Sequence, residues 1–300
     1  MPKVSLTEDT FLRILIYGQP GTGKTYTWLD MCRKMTNSNF YVIDVDSGVS
    51  ETLRGFPIAD RENMLSRLSY YLCNSWEDVK ESFDIIKKEV KRNDWIVLEQ
   101  LGQLWDMAQE YYIRKVFGTD LGEFYTQLRA QLVEQKKKGQ ESMAKLDGWR
   151  DWSIIKKLHN QDFMEIITKR INCKGLILTS AAKEIEDDPR FEEEDCIDIF
   201  SLYKFKPEGE KHNIYRVDAI LYLTRDKNKG YWVKSPKVRG MPKFAEKIPE
   251  GQTAWDVYNA KRLKSIEEAG THKIDSNQEL AQMVKSTKEG ENTSDDAIFG

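Results

Sequence analysis

Between an apolar run ending at Tyr17 and a helical pattern starting near Lys24 lies Gly18-Gln19-Pro20-Gly21-Thr22-Gly23-Lys24-Thr25. It fits G-x-x-x-x-G-K-[ST] at every fixed position. Glycines there let backbone N–H groups close around phosphate oxygens, where side chains would obstruct them. A helix starting near Lys24 turns the positive end of its dipole toward the same anion. The Lys24 ammonium is a point charge for β- and γ-phosphates, and the Thr25 hydroxyl is placed to ligate Mg²⁺. The bland alternative is a glycine-rich turn that matches by chance. A strand before the loop and a helix after it are the context that separates the two.

That context is legible. Phe11 to Tyr17 is a short run of strand formers bounded by Gly18. Trp28, Leu29, Cys32 and Met35 then follow at helical spacing over 24–35. Phe40 to Ile43 reads as a second strand, ending in Asp44-Val45-Asp46-Ser47-Gly48. Trp76, Val79, Phe83, Ile86 and Val90 share one face of a helix over 76–92, with Asn74-Ser75 available as its cap. Trp95 to Leu98 is a third strand, followed by Glu99. The stretch 101–170 is helical in pattern, contains no proline, and is interrupted by a charged turn at Lys136-Lys137-Lys138-Gly139. Gly175 to Ser180 reads as a fourth strand, and 184–195 as an acidic loop. Val217–Leu223 and Gly230–Val233 form a hairpin pattern around Asp226-Lys227-Asn228-Lys229-Gly230. The expected fold is α/β: a mainly parallel central sheet, helices on both faces and a C-terminal β-hairpin. The expected organisation is a tail over 1–10, one domain over 11–245, an extension over 246–264, and a disordered polar tail over 265–300.

Ligands of such sheets bind at the carboxyl ends of strands, so the residues after each strand are the ones to inspect. Glu99 can hold Mg²⁺ beside Thr25, a role usually given to aspartate; otherwise it is a surface glutamate at a strand end. Asp44 and Asp46 lie on one side by alternation. One of them orients or deprotonates an attacking water, or both serve turn chemistry. Thr179 and Ser180 offer a hydroxyl to a γ-phosphate or to water, or else cap a turn.

These pieces, in this order, resemble the RecA-like P-loop ATPases, especially bacteriophage AAA-type ATP-binding proteins linked to single-strand annealing and recombination. The resemblance covers about 11–245. It rests on the phosphate loop, on Tyr41-Val42-Ile43-Asp44-Val45-Asp46-Ser47-Gly48, on the segment from Asp94 to Asp106, and on Gly148-Trp149-Arg150-Asp151-Trp152-Ser153-Ile154-Ile155. It implies an ATP hydrolase with ATP and Mg²⁺ as ligands, contacted by Gly18, Gln19, Pro20, Gly21, Thr22, Gly23, Lys24, Thr25 and Tyr26. It places Asp46 where the family carries a water-activating glutamate, and Glu99 at the aspartate that supports the metal. Lys237-Val238-Arg239-Gly240 resembles the K-x-R element that rings and filaments of this family insert into a neighbour's ATP site. A cation supplied in trans stabilises transition-state charge and makes turnover depend on assembly. The alternative is an ordinary basic loop. The resemblance also implies a homo-oligomer, ring or filament, that binds single-stranded DNA, with a single-strand-binding or annealing protein as a further partner.

Composition limits the remainder. The chain has 300 residues and a net charge of −3, which excludes a uniformly basic nucleic-acid coat but leaves room for a local basic groove. Candidate DNA contacts are Arg129 with Lys136, Lys137 and Lys138, and Lys227, Lys229 and Lys234 with Tyr231 and Trp232. The acidic segment 184–195 opposes DNA at the loop where RecA-like proteins often bind it. Cys32, Cys73, Cys173 and Cys196 have no metal-ligand spacing, and there are only three histidines, so zinc is not expected. The start shows no secretory pattern, and no run approaches the roughly 18 apolar residues of a membrane helix. A soluble cytoplasmic protein, of the host cell if viral, is expected. The acidic residues before Ile298-Phe299 are a docking peptide, a lid, or a disordered end. The rival reading of the chain is a nucleotide-dependent scaffold or switch with slow hydrolysis that recruits proteins. A small-molecule kinase is a third.

Overall fold

The computed structural model describes residues 11–134, 151–169, 171–185, 200, 203–228 and 230–268. Among these, nine strands form one sheet: β1 (Leu12–Gly18), β2 (Phe40–Asp44), β3 (Leu68–Leu72), β4 (Trp95–Glu99), β5 (Gly175–Glu184), β6 (Phe205–Pro207), β7 (Ala219–Arg225), β8 (Tyr231–Val238) and β9 (Phe244–Lys247). Their order is β3-β2-β4-β5-β1-β7-β8-β9, with β6 beside β5. The strands from β3 to β7 along this path pair in parallel. Antiparallel pairing begins at β7–β8 and continues to β9, and β6 also runs antiparallel to β5. This is the α/β class expected, with its C-terminal hairpin. That hairpin is extended by β9, and the sheet gains an edge strand, β3.

Alternation along the strands sorts two cores. Leu15 and Tyr17 of β1, Tyr41 and Ile43 of β2, Ile96 and Leu98 of β4, and Leu176 and Leu178 of β5 pack on one face. There they meet α4 (Trp76–Glu89) and α5 (Leu101–Phe117). Ile14, Ile16, Phe40, Val42, Trp95, Val97 and Ile177 point the other way. They meet Trp28, Leu29, Met31 and Cys32 of α1 (Lys24–Lys34), Val49 of α2 (Gly48–Arg54) and Met64 of α3 (Ile58–Leu65). Trp255, Val257 and Tyr258 of a helix over 254–268 join that face. The helix continues past the composition change at Ser265. By the same alternation, Asp44, Glu99 and Thr179 must face α1, because they follow Val42, Val97 and Ile177 by two.

Local chemistry fixes the element ends. Ser75 caps α4, its hydroxyl accepting from the Asp78 N–H at 3.1 Å, as expected. Glu77 and Asp78 sit in the first turn of this helix, and Lys87 and Lys88 in the last, matching its dipole. The helical stretch after β4 continues as α6 (Leu121–Glu134) and α7 (Asp151–Lys156), then a π-helical segment (Lys157–Met164) and α8 (Glu165–Lys169). In the π-helical segment His159 is fully buried beside Trp76 and Trp105, and burial pushes its pKa down to about 4. The charged turn at 136–139 lies outside the described residues. So does the acidic segment beyond Ile185. Its first residue, Glu184, is not loop but the end of β5, paired with Phe205.

Asp94 joins the starts of β2 and β4. It is almost fully buried and accepts from the backbone N–H groups of Asn39 (3.0 Å) and Lys91 (2.8 Å) and from Asn39 Nδ2 (3.1 Å). Asp94→Ala leaves these donors without that acceptor, so we expect about 2–4 kcal/mol loss of unfolding free energy in urea. A loss below about 0.5 kcal/mol would show that water replaces the carboxylate freely.

Candidate functional site

β1 delivers the chain to the loop at Gly18, where no larger residue fits: a Cβ would lie 2.5 Å from Leu223 O and 2.6 Å from Thr22 Oγ1. Gly23 precedes α1 with φ 91°, a left-handed conformation costly to any side chain. The space beside Gly21 and Gly23, where their Cβ atoms would project, is open. Gln19, Pro20 and Gly21 are exposed on the loop, and Thr22 closes it, its hydroxyl donating to Gln19 O at 2.8 Å. Lys24 is buried, its ammonium donating to Gly18 O at 3.0 Å and Gln19 O at 3.3 Å. Burial holds the Lys24 pKa below the usual lysine range, while the charges of Glu99, Asp46 and Glu208 pull it back up. A cation so placed favours an anion in the loop.

Glu99 is fully buried, and both of its oxygens are held by α1. The Thr25 hydroxyl donates to Oε1 at 2.8 Å and the Trp28 indole N–H donates to Oε2 at 2.7 Å. Desolvation is the main cause that raises its pKa to about 7, with the two hydrogen bonds opposing and the charges of Asp46 and Asp44 adding to the rise. Thr25 and Glu99 thus form an all-oxygen donor pair directly below the loop. That suits Mg²⁺, which takes one or two protein oxygens and completes its shell with phosphate and water. Thr179 Oγ1, on the neighbouring strand and the same face, is buried with no hydrogen-bond partner among the described residues. Ser180, by contrast, donates to Ala181 O and Glu208 O, so its hydroxyl is spent on the fold.

Asp44 and Asp46 divide in the same way. Asp44 is buried, accepts from the Asp46 and Ser47 N–H groups and from the Tyr70 hydroxyl, and shapes the turn. Asp46 is exposed, accepts from the Gly48 N–H at 3.0 Å, and its charge reaches both Lys24 and Glu99. Gln100, next to Glu99, opens α5 at φ 112°, a backbone conformation costing about 1–3 kcal/mol for a residue with a side chain.

Lys237 and Arg239 are not brought to this loop. The Arg239 N–H bonds Asp218 O, and the Asp218 N–H bonds Arg13 O, so Arg239 is level with the start of β1. Five residues of β1 separate that level from Gly18, about 17 Å at the usual rise. Lys237 donates to Ile214 O at 2.6 Å. Arg239 is more exposed and pairs with Asp218 at 3.1 Å.

Three features were missed from sequence. One is Trp28 as a donor to Glu99. The second is Glu208, whose charge acts on Lys24 and on Asp106. The third is a cavity of about 870 Å³ beside the N-terminus of α1, walled by Thr22, Tyr26, Tyr231, Lys247, Ile248 and Pro249. Tyr26 stacks on Phe56 there. No single pattern signals this cavity, because its walls come from three distant segments. It adjoins the phosphate loop, and Tyr26 and Tyr231 in its wall are the rings that a nucleoside bound there would meet. Tyr231→Ala should weaken ADP binding about tenfold, as loss of one base–aromatic stack does, and leave tripolyphosphate binding unchanged in a competition assay. Equal losses for both ligands would place the base elsewhere.

A family profile described as an AAA domain matches residues 10–117, which include the loop, Asp46 and Glu99. Over residues 10–117 the chain is thus similar to a P-loop AAA domain, a match that implies nucleotide binding. The solved structure of the RadB recombinase aligns at 17% identity over 79% of this chain and 86% of that one, with a TM-score of 0.43. No curated protein matches the chain. Among the described residues no helix is long and apolar enough to cross a membrane.

Proposed function

We propose that the chain is a Mg-ATPase whose turnover is completed by a neighbouring copy and coupled to single-stranded DNA. The observation that carries the ATPase reading is the Thr25–Glu99 hydrogen bond directly beneath a glycine loop with a buried lysine. Mg²⁺, held by Thr25 with Glu99 behind it, would supply charge neutralisation to the bound nucleotide. The chain's residues do the positioning. Gly21 and Gly23 leave room for the phosphates, Lys24 exchanges its carbonyl partners for phosphate oxygens, and Thr25 offers its oxygen to the metal while its O–H goes on donating to Glu99. Thr179 directs its otherwise unused hydroxyl toward the reacting end, and Asp46 accepts the proton of the attacking water.

The distance of Arg239 from its own loop supports a trans role, since a group about 17 Å down the sheet cannot serve its own nucleotide. Arg239→Ala should lower turnover about 10³-fold with nucleotide binding retained. Mixing it with Lys24→Ala protein should restore part of the rate. No recovery under demonstrated subunit exchange would count against sharing of sites.

The DNA reading draws support from a second cavity, about 760 Å³, past the ends of β4 and β5. Lys183, Lys206 and Lys211 line it with Trp105 and Tyr215, cations and aromatics of the kind that suit single strands, although Asp106 and Glu208 stand in the same wall and oppose phosphates. Of the contacts considered from sequence, Tyr231 lines the cavity beside α1 and the Trp232 indole donates to Asp226. Lys136, Lys137, Lys138 and Lys229 fall outside the described residues. The test is Mg-ATP hydrolysis across protein concentrations, with and without single-stranded DNA at low salt. A rate per chain that rises with both supports the assembled, DNA-coupled enzyme.

One observation favours the rival switch reading. Asp46 is one methylene shorter than the family's glutamate, and one of its oxygens is engaged by Gly48. A low, flat rate with tight ATP binding would select the switch.

A further inference from the structure

Trp28 lies one helical turn beyond Thr25 on α1, so both side chains present donors on one face, spaced to meet the two oxygens of one carboxylate. The glutamate at this position has one more rotatable bond than the aspartate usual beside a P-loop, and so more ways to miss the metal. The indole removes that freedom. Its ring is fully buried in the core that contains Ile14, Ile16, Val97 and Ile177, so its N–H is a fixed point. With Oε2 held at 2.7 Å by Trp28, Oε1 is the oxygen left to face Thr25, at 2.8 Å.

We propose that Trp28 is a positioning residue for the metal: its indole N–H clamps Glu99 so that a glutamate does the work of an aspartate. A buried indole needs some acceptor wherever it lies, and a backbone carbonyl would satisfy it. Here the acceptor is the one acid of the site whose other oxygen bonds the metal-binding hydroxyl. The proposal rests on the Mg-nucleotide site proposed above.

The test is the Mg²⁺ concentration that gives half-maximal tightening of ADP binding, read with a fluorescent ADP analogue and compared with binding in EDTA. Trp28→Phe keeps an aromatic ring in the core and deletes the donor. It should raise the Mg²⁺ requirement about tenfold and leave metal-free binding within about twofold, the size of effect expected for a partner behind a metal ligand. In a Glu99→Gln background the same change should add nothing further. The same rise in both backgrounds would mean that Trp28 only packs, and an unchanged requirement in Trp28→Phe would remove the clamp. Failure of the wild-type chain to bind Mg-nucleotide would remove the site itself, and this inference with it. If Trp28→Phe does not fold, the indole protons answer in the wild-type chain. One of the eight tryptophan Nε1–H resonances should lie downfield and move in Glu99→Gln; eight unmoved resonances would overturn the clamp.

Discussion

Lys24→Ala is expected to abolish turnover and to weaken ATP binding by about a hundredfold or more, while the metal-free fold survives. The structure gives both halves of this expectation. The ammonium is buried and, among the described residues, bonded to Gly18 O and Gln19 O, neutral acceptors that a phosphate would replace with charged ones. Burial opposes the charge, so deleting it relieves a cost in the absence of nucleotide. Calorimetric titration of ATP, with circular dichroism to confirm folding, separates a binding defect from a folding one. Turnover at the wild-type rate would sink the assignment of the loop.

Glu99→Gln should have two large and opposite effects. Glutamine can accept from Trp28 and donate to Thr25, so the network survives, but the charge that supports Mg²⁺ is gone. Turnover should fall about a hundredfold or more. Stability of the nucleotide-free protein in EDTA should instead rise above neutral pH. The sign follows from the shift: burial raises the folded pKa from 4.5 to about 7, so the folded state binds this proton more tightly than the unfolded chain. Its contribution to stability is therefore fully present below about pH 4.5 and lost as pH climbs through about 7. At pH 8 the wild-type chain bears the cost of a buried charge, about 3 kcal/mol, and glutamine removes it. Urea titrations at pH 5 and pH 8 should show a gain for the variant only at the higher pH. A variant less stable than wild type at pH 8 would mean that the carboxylate is compensated by something other than Thr25 and Trp28.

How far the sequence reached depended on whether the determinant was local. The strand, glycine loop and first turn of α1 declare themselves because each needs particular residues within a few positions. Glu99 was visible as the end of an apolar run. Thr179 is separable from Ser180 by counting two residues from Ile177. β3 escaped because Leu68-Ser69-Tyr70-Tyr71-Leu72 is an edge strand with no fully buried residue and lacks a continuous apolar run. Trp28 read rightly as core from its helical spacing, but its indole partner comes from a strand 71 residues later, which no local pattern reports. The position of Lys237 and Arg239 was legible in principle: an antiparallel strand after β7 must carry its end back to the start of β1.

That reversal puts Arg239 and the phosphate loop at opposite ends of one sheet, which under the proposed sharing of sites would make them a plug and a socket. Copies joined through them in the proposed way form a directional row, and the last socket of any open row stays unfilled. A pair would complete one site for two chains, a long row nearly one per chain, and only a closed ring every one. Specific activity would then be a counter of contour length: rising smoothly with concentration for open rows, and stepping to a plateau on closure.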